Sequence, residues 1–254
     1  MKFVADRPAM VLGKNLVLAE LHLGLEYALR KKGVMMPPLH RRTAAELNEL
    51  MKETKTDSLI VLGDTKHEIY GMEQRELRTI QEFFSLLKCG RVLLVKGNHD
   101  GDLEKLEGRV EGKDLKVAPA EGTVVKIGKT SFGLVHGHAW PSQDVLMADI
   151  LLMAHNHPQI EFYSNGYRWV EQAWVVGNLR NSKEHGTRRE QRVVIFPCFN
   201  PLSGGKAVNK MDVGLGPLLK NGLVDLANAQ AFLLNGVSLG KIKGLKKFAL
   251  VEED

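Results

Sequence analysis

The sequence contains little cysteine and no long hydrophobic run. Its two cysteines, Cys89 and Cys198, lie far apart in 254 residues and in no C-x-x-C spacing. This argues against a disulfide framework and against a thiolate zinc site, so we expect two buried, unreactive thiols. No apolar run approaches the ~20 residues that a membrane helix needs, and the amino terminus lacks the apolar segment of a secretory signal. We therefore expect a cytoplasmic protein that does not associate with membranes.

The composition is that of an ordinary globular protein, with 44% hydrophobic and 26% charged residues. The length predicts one domain over residues 1–254, with the chemical motifs in residues 20–158 and an antiparallel and C-terminal extension in residues 159–254. The formal net charge of +5 and the pI near 9.1 favour a polyanionic partner such as nucleic acid. Nothing in the sequence indicates the oligomeric state.

Segments with strand-like and helical patterns alternate along the amino-terminal part of the chain. Two continuous apolar runs are typical of strands covered on both faces, and the apolar stripe between them has helical spacing. A strand, a helix and a second strand in this order imply parallel pairing. The predicted elements are strands over 10–12, 16–19, 59–62 and 92–95, a helix that begins at Pro37-Pro38 and carries His40, Arg41 and Arg42 on a solvated face, and a helix from about 72 to 88.

Short strands dominate beyond a glycine-punctuated region over 101–116, in which we predict no element. The Asn165-Gly166 pair favours a type I′ hairpin turn. The loop over 180–192 is basic, and Arg180, Arg188 and Arg189 are candidate contacts for phosphate, although a solvated loop explains them equally well. The predicted elements are strands over 122–129, 130–135, 150–153, 160–163, 167–176 and 192–196, a short helix over 143–147 and a structured loop over 200–205.

Five of the predicted strands end in residues that suit metal or phosphate chemistry. Each cluster taken alone is weak evidence, because a single histidine or carboxylate is more often a surface or core residue. In open α/β sheets, however, ligands bind at the carboxyl ends of the strands, so the ordered set is a strong signal. The clusters are Glu20-Leu21-His22, Gly63-Asp64, Gly97-Asn98-His99-Asp100, His136-Gly137-His138 and His155-Asn156-His157.

The residue types in these clusters indicate a class of metal. Imidazole, carboxylate and amide oxygen without thiolate suit Mn²⁺, Fe, Zn²⁺ or Ni²⁺ better than Cu(I), Mg²⁺ or Ca²⁺. Two such ions about 3.5–4 Å apart can activate a water molecule and clamp a phosphoryl group. The predicted chemistry is therefore phosphoester hydrolysis.

The ordered set resembles the motifs of the calcineurin-like metallophosphoesterases, which read D-x-H, G-D, G-N-H-D/E, H and G-H-x-H in this order. The match covers roughly residues 9–160. Residues 63–67 and 197–205 are also similar to the G-D-x-K-H and P-x-F-N-P-L-x-G-G patterns of a prokaryotic branch of predicted phosphoesterases, including those associated with bacterial DNA ligase genes. The resemblance then covers almost the whole chain. It implies an α/β fold, a four-layer αββα sandwich of two mixed sheets with the site at the strand carboxyl ends.

Carried over residue by residue, the resemblance implies two metal sites. One ion would be held by Glu20, His22, Asp64 and His157, and the other by Asp64, Asn98, His136 and His155, so that Asp64 bridges them. His99 would be the catalytic, phosphate-binding histidine, which stabilises charge in the transition state or protonates the leaving oxygen. His138 is a further candidate near the substrate, and we interpret Asp100 as a structural hydrogen-bond acceptor.

The sequence departs from the family pattern at three positions. Glu20 stands where the family has aspartate, and its extra methylene moves the carboxylate outward, which should perturb the geometry or occupancy of the first metal. His67 stands where many family members carry a carboxylate that orients the catalytic histidine. Either Glu68 substitutes for that carboxylate, or the leaving group needs less acid assistance. Ala154 replaces a usual glycine, which only narrows the backbone options there.

The leading hypothesis is a dinuclear metal-dependent phosphoesterase that acts as a phosphodiesterase on nucleic acid or nucleotides. Mn²⁺ is the favoured metal, with Fe, Zn²⁺ or Ni²⁺ as alternatives. Two other functions stay open. One is a small-molecule phosphomonoesterase or nucleotide pyrophosphatase, and the other is a binding scaffold that kept the fold but lost efficient catalysis, as the change at Glu20 suggests.

Overall fold

A computed structural model describes residues 1–69, 74–187, 191–210 and 214–249. The strands are β1 (Lys2–Phe3), β2 (Ala9–Leu12), β3 (Asn15–Leu18), β4 (Ser58–Leu62), β5 (Arg91–Val95), β6 (Asp114–Ala118), β7 (Thr123–Ile127), β8 (Thr130–Leu134), β9 (Ile150–Met153), β10 (Pro158–Ser164), β11 (Tyr167–Leu179), β12 (Gln191–Ile195), β13 (Lys206–Ala207), β14 (Gln230–Leu233) and β15 (Ser238–Lys241). The α-helices are α1 (Leu25–Lys31), α2 (His40–Thr54), α3 (Gln74–Leu86), α4 (Gln143–Met147), α5 (Pro217–Lys220) and α6 (Ile242–Leu245), and short 3-10 helices cover Leu103–Leu106, Pro201–Ser203 and Lys246–Phe248.

Strands β1 to β6 form a mixed sheet in their order along the chain. β1, β2 and β3 pair antiparallel, whereas β3, β4, β5 and β6 pair parallel. The carboxyl ends of β3, β4 and β5 therefore meet at one edge of the sheet. Helices α2 and α3 cover its outer face, where Leu47 and Phe84 share a buried cluster with Leu59 and Val61 of β4. Burying each such side chain fully contributes about 1.5–3 kcal/mol.

The second sheet is also mixed and has the order β13-β10-β11-β12-β9-β8-β7, with β14 added on β11 and β15 on β14. Its central strands β8, β9 and β12 pair parallel, so their carboxyl ends share an edge as well. The β10–β11 hairpin turns at Asn165 and Gly166, whose φ angles are 52° and 80°. Positive φ at both positions is what the predicted type I′ turn requires.

The inner faces of the two sheets pack against each other. Ile60 and Leu62 of the first sheet lie in one buried cluster with Leu152 and Trp174 of the second. On the outer face of the second sheet, a separate cluster buries apolar side chains of α4, α5 and α6. The layers are therefore helix, sheet, sheet and helix. This confirms the predicted α/β sandwich of two mixed sheets.

Most predicted elements are present with bounds shifted by a few residues, including the parallel pairing of β4 and β5. The predicted start of the helix over 72–88 lies outside the described residues, and the described part begins at Gln74. Both cysteines are free and buried, as predicted. Across the described ranges, every helix is too short or too polar to span a bilayer.

One strand was not predicted, and one prediction was wrong. The region over 101–116 contains a 3-10 helix and the start of β6, which pairs with β5. β6 has only two buried side chains, Leu115 and Ala118, so it lacks the continuous apolar run of the neighbouring strands. His40 was predicted on a solvated face, yet it is buried and its Nε2 lies 3.1 Å from Oε2 of Glu82, because α3 packs against this turn of α2.

Candidate metal centre

Five of the predicted ligands have left-handed backbone conformations. Their φ angles are 63° at Glu20, 43° at His22, 47° at Asp64, 66° at His155 and 39° at His157. Non-glycine residues adopt positive φ uncommonly, and such strain persists where the surrounding structure imposes it, often at functional sites. All five lie just beyond β3, β4 or β9. The strained backbone therefore marks the sheet edge that the motifs predicted as a site.

The loops that follow β3 and β4 run side by side. The backbone N–H of Glu20 donates to the carbonyl of Gly63 (3.1 Å), and that of His22 donates to the carbonyl of Asp64 (2.9 Å). These bonds continue the parallel pairing past the end of the strands. They bring the predicted Glu-x-His ligands next to Asp64.

The chain beyond β12 joins the two sheets at this edge. The N–H of Phe199 donates to the carbonyl of Ala19 (2.9 Å), and the N–H of Asn200 donates to the carbonyl of Glu20 (3.1 Å). The Asn200 side chain also donates to the carbonyl of Leu21 (2.9 Å). The loop over 200–205 thereby fixes the first predicted ligand loop, a role that the sequence did not reveal.

Two glycines allow the loops to approach closely. A Cβ atom on Gly63, whose φ is 78°, would lie 2.4 Å from Cγ of His136, and one on Gly97 would lie 2.1 Å from Oδ1 of Asp64. Neither distance is compatible with a side chain. Asp100 holds the loop after β5 against the loop after β4, because its carboxylate accepts the N–H of Gly97 (2.8 Å) and that of Lys66 (3.2 Å). These contacts agree with the structural role predicted for Asp100.

The predicted ligands of the first ion meet around one oxygen of Glu20. Its Oε2 lies 2.8 Å from Nε2 of His157 and 3.2 Å from Nε2 of His22. Oδ2 of Asp64 is 3.9 Å from the same His22 nitrogen. Nδ1 of His157 donates to the carbonyl of Gly204 (3.2 Å), which directs Nε2 toward the carboxylates.

The predicted ligands of the second ion meet around the other oxygen of Glu20. Its Oε1 lies 2.9 Å from Nε2 of His136 and accepts the backbone N–H of His155 (2.7 Å). Nε2 of His136 is 3.7 Å from Oδ2 of Asp64, and the His155 ring lies 4.8 Å from the His136 ring. Asn98, which precedes His99 in the sequence, is exposed. Glu20, Asp64 and His136 are all buried.

His99 lies between the metal ligands and His67. Its Nδ1 donates to the backbone carbonyl of His67, its N–H donates to Oδ1 of Asp64 (2.9 Å), and its Nε2 is 3.8 Å from Oδ2 of Asp64. The His67 ring stacks on the His99 ring, and the His22 ring meets both edge-on. Glu68 points to Lys31, with 3.5 Å between Oε1 and Nζ. A backbone carbonyl, not Glu68, is therefore the acceptor that orients His99.

Three ionisable groups at the centre have pKa values shifted toward the charged form. Burial by itself raises the pKa of Glu20, but the facing imidazoles of His136, His157 and His22 hold it well below its usual range. Burial lowers the pKa of His136, and the Glu20 carboxylate outweighs that effect and raises it. Burial also lowers the pKa of His157, yet its contacts with the side chains of Cys198 and Glu20 raise it to about 11.

Three other histidines are held neutral at physiological pH. Burial is the main cause in each case, and a neighbouring imidazole adds to it. The pKa of His155 falls to about 3 and that of His138 to about 4, both with a contribution from His136. The pKa of His67 falls to about 4, with contributions from His22 and His99. Neutral imidazole is the form that binds metal.

The donor set fits divalent ions. Both ring nitrogens of His22 are buried without a hydrogen-bond partner, although Nε2 is only 3.2 Å from Oε2 of Glu20, an oxygen that also has none. Buried polar atoms without a hydrogen-bond partner call for another explanation, and a cation bound between this nitrogen and this oxygen would provide one. Nδ1 of His67 is likewise buried and unpartnered. Oxygen and imidazole ligands without thiolate suit the predicted class of metals.

The other predicted site residues lie in different places. His138 borders the centre, with its Nδ1 3.0 Å from Nδ1 of His136. Arg180 follows β11 at the end of the sheet where β9 and β12 begin, and it pairs with Asp225 at 2.7 Å. The structure therefore does not bring Arg180 to the ligands at the opposite end of β9. Arg188 and Arg189 lie outside the described residues.

Two supporting residues were missed by the sequence reasoning. Asn156 is buried, and its side chain accepts the N–H of Leu215 (2.7 Å), so the C-terminal part of the chain braces the loop after β9. Lys66 is fully buried, and its Nζ donates to the carbonyl of Glu68. That bond fixes the turn that presents the His67 carbonyl. The only signal for either residue was its position inside a ligand motif.

Comparison with known proteins identifies the family. The profile described as calcineurin-like phosphoesterase matches residues 15–226. This chain belongs to the calcineurin-like phosphoesterases. The enzyme class predicted from the strand-end motifs is therefore confirmed as a hydrolase of ester bonds, and the metal-binding prediction is consistent with the ligand groups described above. The sequence of this chain matches no curated protein.

Several solved structures are similar to this phosphoesterase. The nuclease MPE of Pseudomonas putida is 20% identical with a TM-score of 0.53, and the alignment covers 89% of this chain and 88% of that one. An archaeal phosphodiesterase is 15% identical (TM-score 0.37, coverage 70% and 97%). Vacuolar protein sorting 29 of Cryptosporidium parvum is 20% identical (TM-score 0.33, coverage 71% and 95%). At 20% identity, the likeness to the nuclease concerns the fold alone.

Proposed function

We propose that this phosphoesterase is a dinuclear, Mn²⁺-dependent phosphodiesterase that acts on nucleic acid or nucleotides. The observation that carries the dinuclear part is the meeting of two ligand groups, Glu20 with His22 and His157, and Glu20 with Asp64 and His136. Asn98 and His155 complete the proposed second group. When bound, the two ions would lower the pKa of a water molecule and neutralise charge on the phosphoryl group.

The protein side chains have separate tasks in this proposal. Asp64 and Glu20, both buried, supply the negative charge that holds the cations. His99 faces the substrate through Nε2, because its Nδ1 is bound to the His67 carbonyl. With protons on both ring nitrogens it would donate a hydrogen bond or a proton from Nε2 to the leaving oxygen and keep the proton on Nδ1. Asp100 keeps the His99 loop against Asp64 through the N–H of Gly97.

Two observations support a polyanionic substrate. The chain carries a formal net charge of +5, which favours association with phosphate polymers. The structure of similar fold with a TM-score of 0.53 is described as a nuclease. Manganese is favoured by the donor set of imidazole and carboxylate. A cytoplasmic location stays a prediction from the sequence.

The proposal is tested by measuring cleavage of single- and double-stranded DNA and RNA, of a generic phosphodiester and of mononucleotides, each over a range of salt concentrations. We expect polymer cleavage that weakens steeply as salt rises, because substrate binding releases counterions. Hydrolysis of mononucleotides alone, indifferent to salt, would instead identify a phosphomonoesterase or nucleotide pyrophosphatase. If the metal-bound protein cleaves none of these substrates, it is a binding scaffold.

A further inference from the structure

The carboxylate of Glu20 is shared by two candidate metal groups, the one with His22 and His157 and the one with Asp64 and His136. Its side chain is fully buried. Oε2 faces His157 and His22 at 2.8 and 3.2 Å, while Oε1 faces His136 at 2.9 Å. The extra methylene therefore extends the carboxylate to the boundary between the two groups, where it contacts both of them.

The distances around Glu20 are those of ligands to common ions. Metal–oxygen and metal–nitrogen bonds are about 2.0–2.2 Å, so neighbouring ligand atoms of one ion lie about 3.0–3.5 Å apart. The separations of Glu20 from His22, His136 and His157 are close to this range. The equivalent separations from Oδ2 of Asp64 are longer, at 3.9 Å to His22 and 3.7 Å to His136.

The two oxygens of Asp64 are not equivalent. Oδ1 accepts the N–H of His99 (2.9 Å), which leaves Oδ2 to face both histidine groups. Oε1 of Glu20 likewise accepts a backbone N–H, that of His155 (2.7 Å), but it also faces Nε2 of His136 at 2.9 Å. Asp64 therefore presents one oxygen to the two histidine groups, whereas Glu20 presents one oxygen to each. A carboxylate can bridge two ions through one shared oxygen or through one oxygen on each ion. The two residues approach the centre from neighbouring loops, which follow β3 and β4.

We propose that Glu20 is a second bridging ligand, which binds one ion through Oε2 and the other through Oε1. This inference rests on the proposed dinuclear function. An aspartate at position 20 would be one methylene shorter and would serve the His22 and His157 group only. Glu20 couples the two sites, so that each ion depends on the same carboxylate.

The test is Mn²⁺ binding to the full chain after chelation, with calorimetry for stoichiometry and affinity and electron paramagnetic resonance for spin coupling between the ions. The wild-type chain should bind two coupled ions. Glu20→Gln keeps the shape but removes the charge, and we expect at least about tenfold weaker binding of both ions, since even outer-shell changes cost about 10–100-fold. The control His22→Gln removes a ligand of one group and should weaken one ion while the other is retained.

Retention of one ion at wild-type affinity in Glu20→Gln would overturn the bridging role while leaving the dinuclear proposal intact. A wild-type chain that binds no Mn²⁺ would instead contradict the proposed function itself. If circular dichroism shows that Glu20→Gln does not fold, Glu20→Asp decides the question. We expect it to weaken the binding of the ion in the His136 group, which the shorter side chain no longer reaches, and two ions bound with wild-type affinity would refute the bridge.

Discussion

Nδ1 of His99 donates a hydrogen bond to the backbone carbonyl of His67. A carbonyl oxygen can only accept, so this contact keeps a proton on Nδ1 and leaves Nε2 available for the proposed contact with the substrate. In the family pattern a carboxylate performs this orienting task. Here a main-chain oxygen performs it, and the turn that carries the oxygen is held by the buried Lys66.

Replacing His99 should affect the reaction more than the metal. We expect His99→Asn to lower kcat by about 10²–10⁴-fold, because it removes the group that donates to the leaving oxygen. Metal content should stay at the wild-type level. The measurement combines kcat on a phosphodiester with metal analysis of the same sample. His185→Asn is a suitable control, since His185 stacks on Trp140. Unchanged kcat in His99→Asn would remove His99 from the proposed chemistry.

Gly97 should not tolerate a side chain. A Cβ there would lie 2.3 Å from the backbone nitrogen of Asp64 and 2.1 Å from its Oδ1, so the His99 loop must move away. We expect Gly97→Ala to destabilise the fold by about 1–3 kcal/mol and to weaken metal binding. Urea unfolding and metal titration measure both effects. Gly90→Ala is the matched control, because no atom lies within 4 Å of its added Cβ. Equal behaviour of the two variants would contradict the observed packing.

Asp100 should contribute to stability through its two backbone partners. Asp100→Ala leaves the N–H groups of Gly97 and Lys66 without their acceptor, which costs about 1–3 kcal/mol for each buried group. Asp100→Asn keeps one acceptor oxygen and should cost less. The control Asp102→Ala removes an exposed ion pair with Lys105, which water screens, and should cost less than Asp100→Ala. Thermal unfolding distinguishes them, and similar losses for Asp100→Ala and Asp102→Ala would contradict the structural role of Asp100.

Metal binding should release protons. The pKa of His157, raised to about 11, means that its imidazole carries a proton near neutral pH when metal has been removed, and it must lose that proton to become a ligand. The pKa of His136 is shifted in the same direction by the Glu20 carboxylate. Because protons compete with the ions, affinity for Mn²⁺ should increase as pH rises through the neutral range. Calorimetry in two buffers of different ionisation enthalpy counts the protons, and His157→Gln should release about one fewer. Binding without proton release at any pH would contradict this charge state.

Much of the site's composition could be predicted from the sequence. Short apolar runs that end in Asp64, His99 or His136 predict strands whose carboxyl ends carry polar groups, and parallel pairing brings those ends to one edge. The structure brings Glu20, His22, Asp64, His136 and His157 into two groups at that edge. Local pattern was sufficient for the ligands of the first sheet because its strands pair in their order along the chain.

Other features depend on contacts between distant parts of the chain and could not be predicted. The acceptor for His99 is a main-chain carbonyl, which has no sequence signature. The Glu20 carboxylate reaches His136, a contact across 116 residues that depends on how the two sheets pack. β6 was missed because only Leu115 and Ala118 of its side chains are buried. In each case tertiary packing, not local propensity, determines the structure.

The most direct measurement of the proposed chemistry quantifies bound metal in the purified protein and follows hydrolysis of a generic phosphodiester by the same sample before and after chelation. We expect two ions per chain, loss of hydrolysis when the chelator removes them, and recovery when Mn²⁺ is added back. Hydrolysis that persists at full strength in the chelated protein, or a chain that neither binds nor responds to any divalent metal, would contradict a dinuclear phosphodiesterase.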